Sequence, residues 1–146
     1  MKVALGSDHA GFRLKLAVKQ WLGENGYDII DMGTHDESSC DYPDFGRAVG
    51  EAVAGAEADR GIVICGTGIG ISLAANKVDG IRAALCSDTY SARMSRLHND
   101  ANILAMGERV VGYGLALDIV AAWLSADFEG GRHQGRVDKI MAIEAG

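Results

Sequence analysis

The stretch Ile62-Val63-Ile64-Cys65-Gly66-Thr67-Gly68-Ile69-Gly70-Ile71-Ser72 passes from a wholly apolar run, through three glycines in five positions, into a second apolar segment. An apolar run that short, ended by glycine, reads as a strand buried on both faces, and the residues from about Ile69 read as the start of a helix. Strands of this kind belong to parallel sheets with helices on both sides, joined by right-handed crossovers. Working outward, four other runs fit the same role: Val3-Ala4-Leu5, Ile29-Ile30-Asp31-Met32, Ile81-Arg82-Ala83-Ala84-Leu85 and Ile103-Leu104-Ala105-Met106. Between and after them lie helical faces. Leu14, Ala17, Val18, Trp21 and Leu22 repeat at i, i+3, i+4, i+7, i+8, with Gly23 or Gly26 as a stop. Phe45, Ala48, Val49, Ala52 and Val53 keep that spacing, as do Ala116, Ile119, Val120, Trp123 and Leu124 after Gly112 and Gly114. A further helix is expected from about Asp88.

The pattern predicts a three-layer α/β/α sandwich, Rossmann-like, around a five-stranded parallel sheet. One domain over residues 1–146 is expected, with 130–146 a tail set off by Gly130-Gly131, in which Val137, Ile140 and Met141 could line one side of a last helix. The chain has 146 residues, 48% apolar and 23% charged, enough for a real core. A formal charge of −6 gives no basic field for nucleic acid or an anionic membrane, so any phosphate has to be bound locally. Cys40, Cys65 and Cys86 form neither a CxxC pair nor an even set, which argues against a disulfide framework or zinc ribbon and for a reducing cytoplasm. Asp8 arrives too early for a signal peptide, and no run approaches a membrane span.

In open α/β sheets ligands bind beyond the carboxyl ends of the strands. Two strand ends carry chemistry: Gly6-Ser7-Asp8-His9-Ala10-Gly11 and Cys65 to Ser72. A glycine turn entering a helix lets consecutive backbone N–H groups converge on an anion at the positive end of the helix dipole. Cys65 stands at the mouth of that nest, where the same field favours a thiolate able to act as base or nucleophile. Familiar phosphate motifs fail here. A P-loop needs Lys then Ser or Thr after its last glycine, and Gly70 is followed by Ile71. The dinucleotide fingerprint needs its third glycine at position 71, and a cysteine-phosphatase loop needs arginine there.

Gly6 to Gly11, Asp41-Tyr42-Pro43, Cys65 to Gly70, Arg96-Leu97-His98-Asn99-Asp100-Ala101-Asn102, and Arg132-His133 with Arg136 together resemble the type B ribose 5-phosphate isomerases and the related galactose and allose 6-phosphate isomerases, over essentially the whole chain. The resemblance implies cofactor-free interconversion of an aldose phosphate and a ketose phosphate in a homodimer, or a higher assembly, whose sites borrow residues from both chains. It makes Cys65 the base between C1 and C2, and Thr67 and His98 the groups that open the furanose ring. Gly66, Gly68, Gly70 and Asn99 hold the enediolate, and His9, Arg109, Arg132 and Arg136 bind phosphate. Asp8 and Tyr42 touch sugar hydroxyls. One branch of the family uses a glutamate in place of the cysteine; this chain has the cysteine. His98, Asn99 and Arg109 are expected to face the Cys65 loop of the other chain.

The residues agree independently on part of this. Moving a proton next to a carbonyl needs a positioned base and donors aimed at the developing oxyanion. Arg132 and Arg136, four apart, share one face of a helical tail and can clamp a dianion. Cys40 and Cys86 read as structural thiols, His35 as a loop histidine, and Trp21 and Trp123 as core. No ligand-spaced partner accompanies Asp8-His9, so no metal is expected. The competing class is a non-catalytic phosphosugar-binding module, which would need the glycines and arginines but has no use for a thiol. Within the enzyme class, allose 6-phosphate, galactose 6-phosphate or a tetrose phosphate compete with ribose 5-phosphate.

Overall fold

The computed structural model describes residues 1–146 and contains one five-stranded, all-parallel sheet. Its strands are β1 (Lys2–Ser7), β2 (Asp28–Asp31), β3 (Arg60–Cys65), β4 (Ala83–Leu85) and β5 (Ile103–Gly107), in the spatial order β2-β1-β3-β5-β4. The helices are α1 (Phe12–Glu24), α2 (Tyr42–Ala54), α3 (Ile69–Asn76), α4 (Thr89–Asn99), α5 (Tyr113–Leu124) and α6 (Arg132–Ala142). The expected three-layer sandwich is the observed one.

Strand alternation divides the core in two. Val3, Leu5, Ile62, Ile64, Leu104 and Met106 point to the face covered by α1, α4 and α5, where Leu14, Val18, Leu22, Ile119 and Trp123 are fully buried. Ala4, Val63, Cys65, Ile103 and Ala105 point to the other face, under Val49 and Ala52 of α2 and Ile71 and Ala75 of α3. Burying eleven large apolar side chains below 2% exposure, at about 1.5–3 kcal/mol each for a fully buried aliphatic, is the main force holding the layers.

Three details differ from the sequence reading. The run beginning at Ile81 forms a strand only over Ala83–Leu85, because Arg82 N–H donates to the side-chain oxygen of Asn102 at 2.7 Å rather than to a neighbouring strand. Asn76 covers this edge strand by exchanging two hydrogen bonds with the Ala83 backbone, at 2.8 and 3.0 Å. In the tail, Val137 is buried but Ile140 is 48% exposed, so the apolar face is narrower than the spacing implied. Trp21 is half-buried and stacks on Tyr27, whereas Trp123 is wholly enclosed.

The order places β1 and β3 side by side while the chain leaves them in opposite directions across the sheet. Between their carboxyl ends lies the topological switch point where open α/β sheets leave a crevice. Ser7 pairs with Ile64, and Cys65 pairs with Gly107 of β5, so the loops after three adjacent strands open side by side.

Candidate active site

A cavity of about 510 Å³ fills that crevice, lined by Asp8, His9 and Ala10 after β1, Tyr42 at the start of α2, Cys65, Gly66, Thr67, Ile69, Gly70 and Leu73 from the β3–α3 segment, and Arg109 after β5. Another cavity, of about 460 Å³, lies between α2 and α3, but no strand-end loop reaches it and its Arg47 is already paired with Glu51.

Backbone geometry makes the β3–α3 turn a cradle. Gly68 caps α3 with φ +81°, and a Cβ there would stand 2.7 Å from the Met106 carbonyl carbon, so both conformation and space require glycine. Its N–H donates to Cys65 Sγ at 3.1 Å, so a backbone donor faces the sulfur where negative charge would form. Cys65 itself is only 4% exposed. Thr67 Oγ1 accepts the Ile69 N–H at 3.2 Å, which leaves its own hydrogen to donate. The Tyr42 ring lies so close to Gly70 that a Cβ there would meet it at 2.4 Å, and the phenol thereby becomes a wall of the cavity.

Asp8 Oδ1 accepts the Gly11 N–H at 3.1 Å, which caps the short turn of His9–Gly11 and fixes both side chains at the rim. His9 Nδ1 accepts the Cys40 N–H at 3.2 Å, so the ring proton sits on Nε2 and is available to an anion. Arg109 N–H donates to the Gly66 carbonyl at 3.0 Å, and its guanidinium spreads across that glycine, with Nη1 3.2 Å from where a Cβ would be. This corrects one expectation: Arg109 faces the Cys65 loop of its own chain. Gly107, unremarked in the sequence, makes this approach possible, since a Cβ on it would stand 2.4 Å from the Thr67 carbonyl carbon. Only the β3–β5 register, invisible before the fold is known, could have pointed to it.

The remaining candidates lie elsewhere. Helix α4 leaves the carboxyl end of β4 and returns to the amino end of β5, so its eleven residues carry His98 and Asn99 about 16 Å along the axis to the opposite edge of the sheet. Helix α6 begins beside them: His98 and His133 stack with ring centroids 4.3 Å apart, and Glu129 Oε1 lies 3.5 Å from His98 Nε2. His133 is held below the usual histidine range by burial first, then by the charges of His98 and Arg132. Arg132 and Arg136 are exposed on α6. Like Arg109, neither has a carboxylate partner, whereas Arg13, Arg47, Arg60, Arg82 and Arg96 all do. Arg93, over the Tyr90 ring at 5.7 Å, also lacks one, so this chain with an excess of acids leaves four of its nine arginines without a carboxylate partner, and Arg109, Arg132 and Arg136 are three of them.

The other thiols are quieter. Burial, aided by the Asp88 charge, pushes the Cys86 thiol up to about 11, which keeps it neutral and unreactive. All three cysteines are free. Lys15, fully buried, donates to Asp31 Oδ1 at 2.6 Å and to the Thr34 carbonyl at 2.5 Å. Burial opposes the Asp31 charge, but hydrogen bonds from Lys15, Gly33 and Lys19 overcome it and hold that carboxyl below its ordinary range. No helix is long and apolar enough to cross a membrane.

The sequence pattern of the Ribose/Galactose Isomerase family matches residues 3–140. The chain is 57% identical over 143 residues to ribose-5-phosphate isomerase B of Escherichia coli K12, covering 98% of this chain and 96% of that one. It is 42% identical over 146 residues to D-erythrulose-4-phosphate isomerase of Pectobacterium atrosepticum, covering 99% and 95%. The structure of Clostridium thermocellum ribose-5-phosphate isomerase B superposes with a TM-score of 0.98 at 64% identity, covering 99% and 98%. Sequence and fold agree along the whole length, and the chain belongs to the ribose/galactose isomerase family.

Proposed function

We propose that the protein is an aldose–ketose isomerase that interconverts ribose 5-phosphate and ribulose 5-phosphate through a cis-enediolate. The observation that carries this is Cys65 Sγ inside the glycine cradle, with the Gly68 N–H on it and unpaired Arg109 beside it. Thr67 and His98 open the furanose ring. The Cys65 thiolate then takes the proton from C2 of the open-chain aldose, and the electron pair moves to the C1 oxygen. That oxyanion is held by the N–H groups of Gly66 to Gly70 and by Asn99. The C2 hydroxyl proton passes to the C1 oxygen, and the thiol, whose proton exchanges with solvent while the enediolate persists, protonates C1 as the C2 oxygen becomes the ketone, so the step needs no cofactor or metal. His9, Arg109, Arg132 and Arg136 hold the phosphate, and Asp8 and Tyr42 the sugar hydroxyls.

His98, Asn99, Arg132 and Arg136 cannot reach Cys65 of their own chain, so the reading includes a homodimer in which each chain completes the other's cavity. Ile69, Leu73 and Leu85, exposed by 53%, 62% and 43% around the cradle, supply apolar surface for such a partner. Free thiols and a family of metabolic enzymes fit a reducing cytoplasm. Ribose 5-phosphate is favoured over a tetrose phosphate because identity is 57% to the ribose enzyme and 42% to the erythrulose one.

The test is incubation of enzyme with ribose 5-phosphate in deuterated water. Isomerisation with deuterium appearing at C2 of recovered substrate is expected. Binding without exchange or product would make the protein a phosphosugar-binding module. Parallel kinetics on allose, galactose and erythrulose phosphates should rank ribose 5-phosphate first in kcat/KM.

A further inference from the structure

We propose that His98, Glu129 and His133 form a binding site for a divalent transition-metal ion of the zinc class, and that its occupancy switches off ring opening. The inhibitory half rests on the isomerase reading above; the binding half does not.

The imidazoles of His98 and His133 and the carboxylate of Glu129 each present a ligand atom, and these atoms all lie within 4.8 Å of one another. Zinc holds nitrogen at about 2.0–2.1 Å, so two tetrahedral ligands stand roughly 3.3 Å apart, and closing the set requires shifts on the order of an ångström. The side chains able to move are the outer ones: His98 is 40% and Glu129 52% exposed, whereas His133 is buried and anchors the site. The two rings stack within 15° of parallel, and an imidazole donates in its own plane, so chelation turns the exposed His98 ring out of the stack while His133 stays in place. The backbone around them is tied down: Glu129 N–H donates to the Leu97 carbonyl at 3.1 Å and His133 N–H to the Gly130 carbonyl at 3.0 Å.

Glu129 lies 3.5 Å from His98 Nε2, too far for a good hydrogen bond, so the carboxylate still has lone pairs to give. Two imidazoles and one carboxylate are a recurring zinc donor set that leaves a fourth position open. Arg132 and Arg136 lie close by and their charge opposes a cation, so binding is expected to be reversible and moderate rather than structural. All three ligands come from one chain, so every chain carries the site in any assembly. Coordination uses a His98 nitrogen that ring opening requires, so a bound ion removes that group without touching Cys65.

The experiment titrates wild type, Glu129→Gln and His133→Gln with Co²⁺ and Zn²⁺, following cobalt absorption and heat. A single Co²⁺ per wild-type chain is expected, with a d–d spectrum and no thiolate charge-transfer band. Each variant should weaken binding about tenfold or more. Zn²⁺ should inhibit wild type on cyclic ribose 5-phosphate, while Glu129→Gln keeps its basal rate and loses the inhibition. Binding that both variants leave unchanged, a thiolate band, or no uptake at submillimolar metal overturns the site. These binding outcomes involve no substrate, so they stand even if the isomerase reading fails.

Discussion

At the carboxyl edge of the sheet Cys65 is 4% exposed, with its sulfur on a backbone N–H at 3.1 Å; at the amino edge the His98 side chain is 40% exposed, and its nearest carboxylate lies 3.5 Å away. The first region is built from strand ends locked in register and from glycines that admit no side chain. The second consists of side chains at helix ends, facing outward. The difference matches a division of labour. Transferring a proton between adjacent carbons requires a base fixed against its oxyanion donors, whereas opening a ring and gripping a phosphate tolerate groups that arrive with a partner.

The largest effect is expected at the rigid region. Cys65→Ala should lower kcat by about 10²-fold or more, the usual worth of a positioned base, while substrate still binds through the phosphate contacts. Cys65→Ser should be nearly as poor, because a hydroxyl supplies far less anion. Steady-state rates together with a binding titration decide it, and retention of more than about a tenth of wild-type kcat removes Cys65 from the role of base.

At the open region the expected loss is smaller and depends on the substrate. His98→Asn should slow turnover of cyclic ribose 5-phosphate by about tenfold or more, below the usual ~10²–10⁴-fold of general acid–base catalysis because furanose rings also open unaided, and spare an open-chain analogue. Equal losses on both would place His98 outside ring opening.

The two regions were not equally legible in the sequence. Strands and helices could be read because apolar runs and helical spacing report burial directly, and Cys65 to Gly70 because three alternate glycines after a strand have few other uses. Gly107 escaped because its purpose is to let Thr67 pass at close range, a contact set by the pairing of β3 with β5. The proximity of His98 to His133 escaped for a similar reason: thirty-five positions separate them, and only the packing of α6 beside α4 stacks their rings. The direction of Arg109 was misread because a loop residue's own-chain contact, its N–H on the Gly66 carbonyl, leaves no periodic signature.

The smallest expected departure from wild type comes from joining the two regions. If the rigid region of one chain works with the open region of another, Cys65→Ala chains and His98→Asn chains are impaired for complementary reasons. In a mixed dimer with two-fold symmetry, one site collects both lesions and the other has neither. Random pairing makes about half the dimers mixed, each with one of two sites intact, so activity should recover to about a quarter of wild type, only fourfold short of it. The measurement dissociates the two variants gently, recombines them at equal concentration, confirms chain exchange by mass, and assays ribose 5-phosphate. An exchanged mixture that stays at the level of the separate variants means that each chain completes its own site. Since α4 carries His98 about 16 Å from the strand ends where Cys65 lies, that result would require α4 and α6 to leave the positions they hold here.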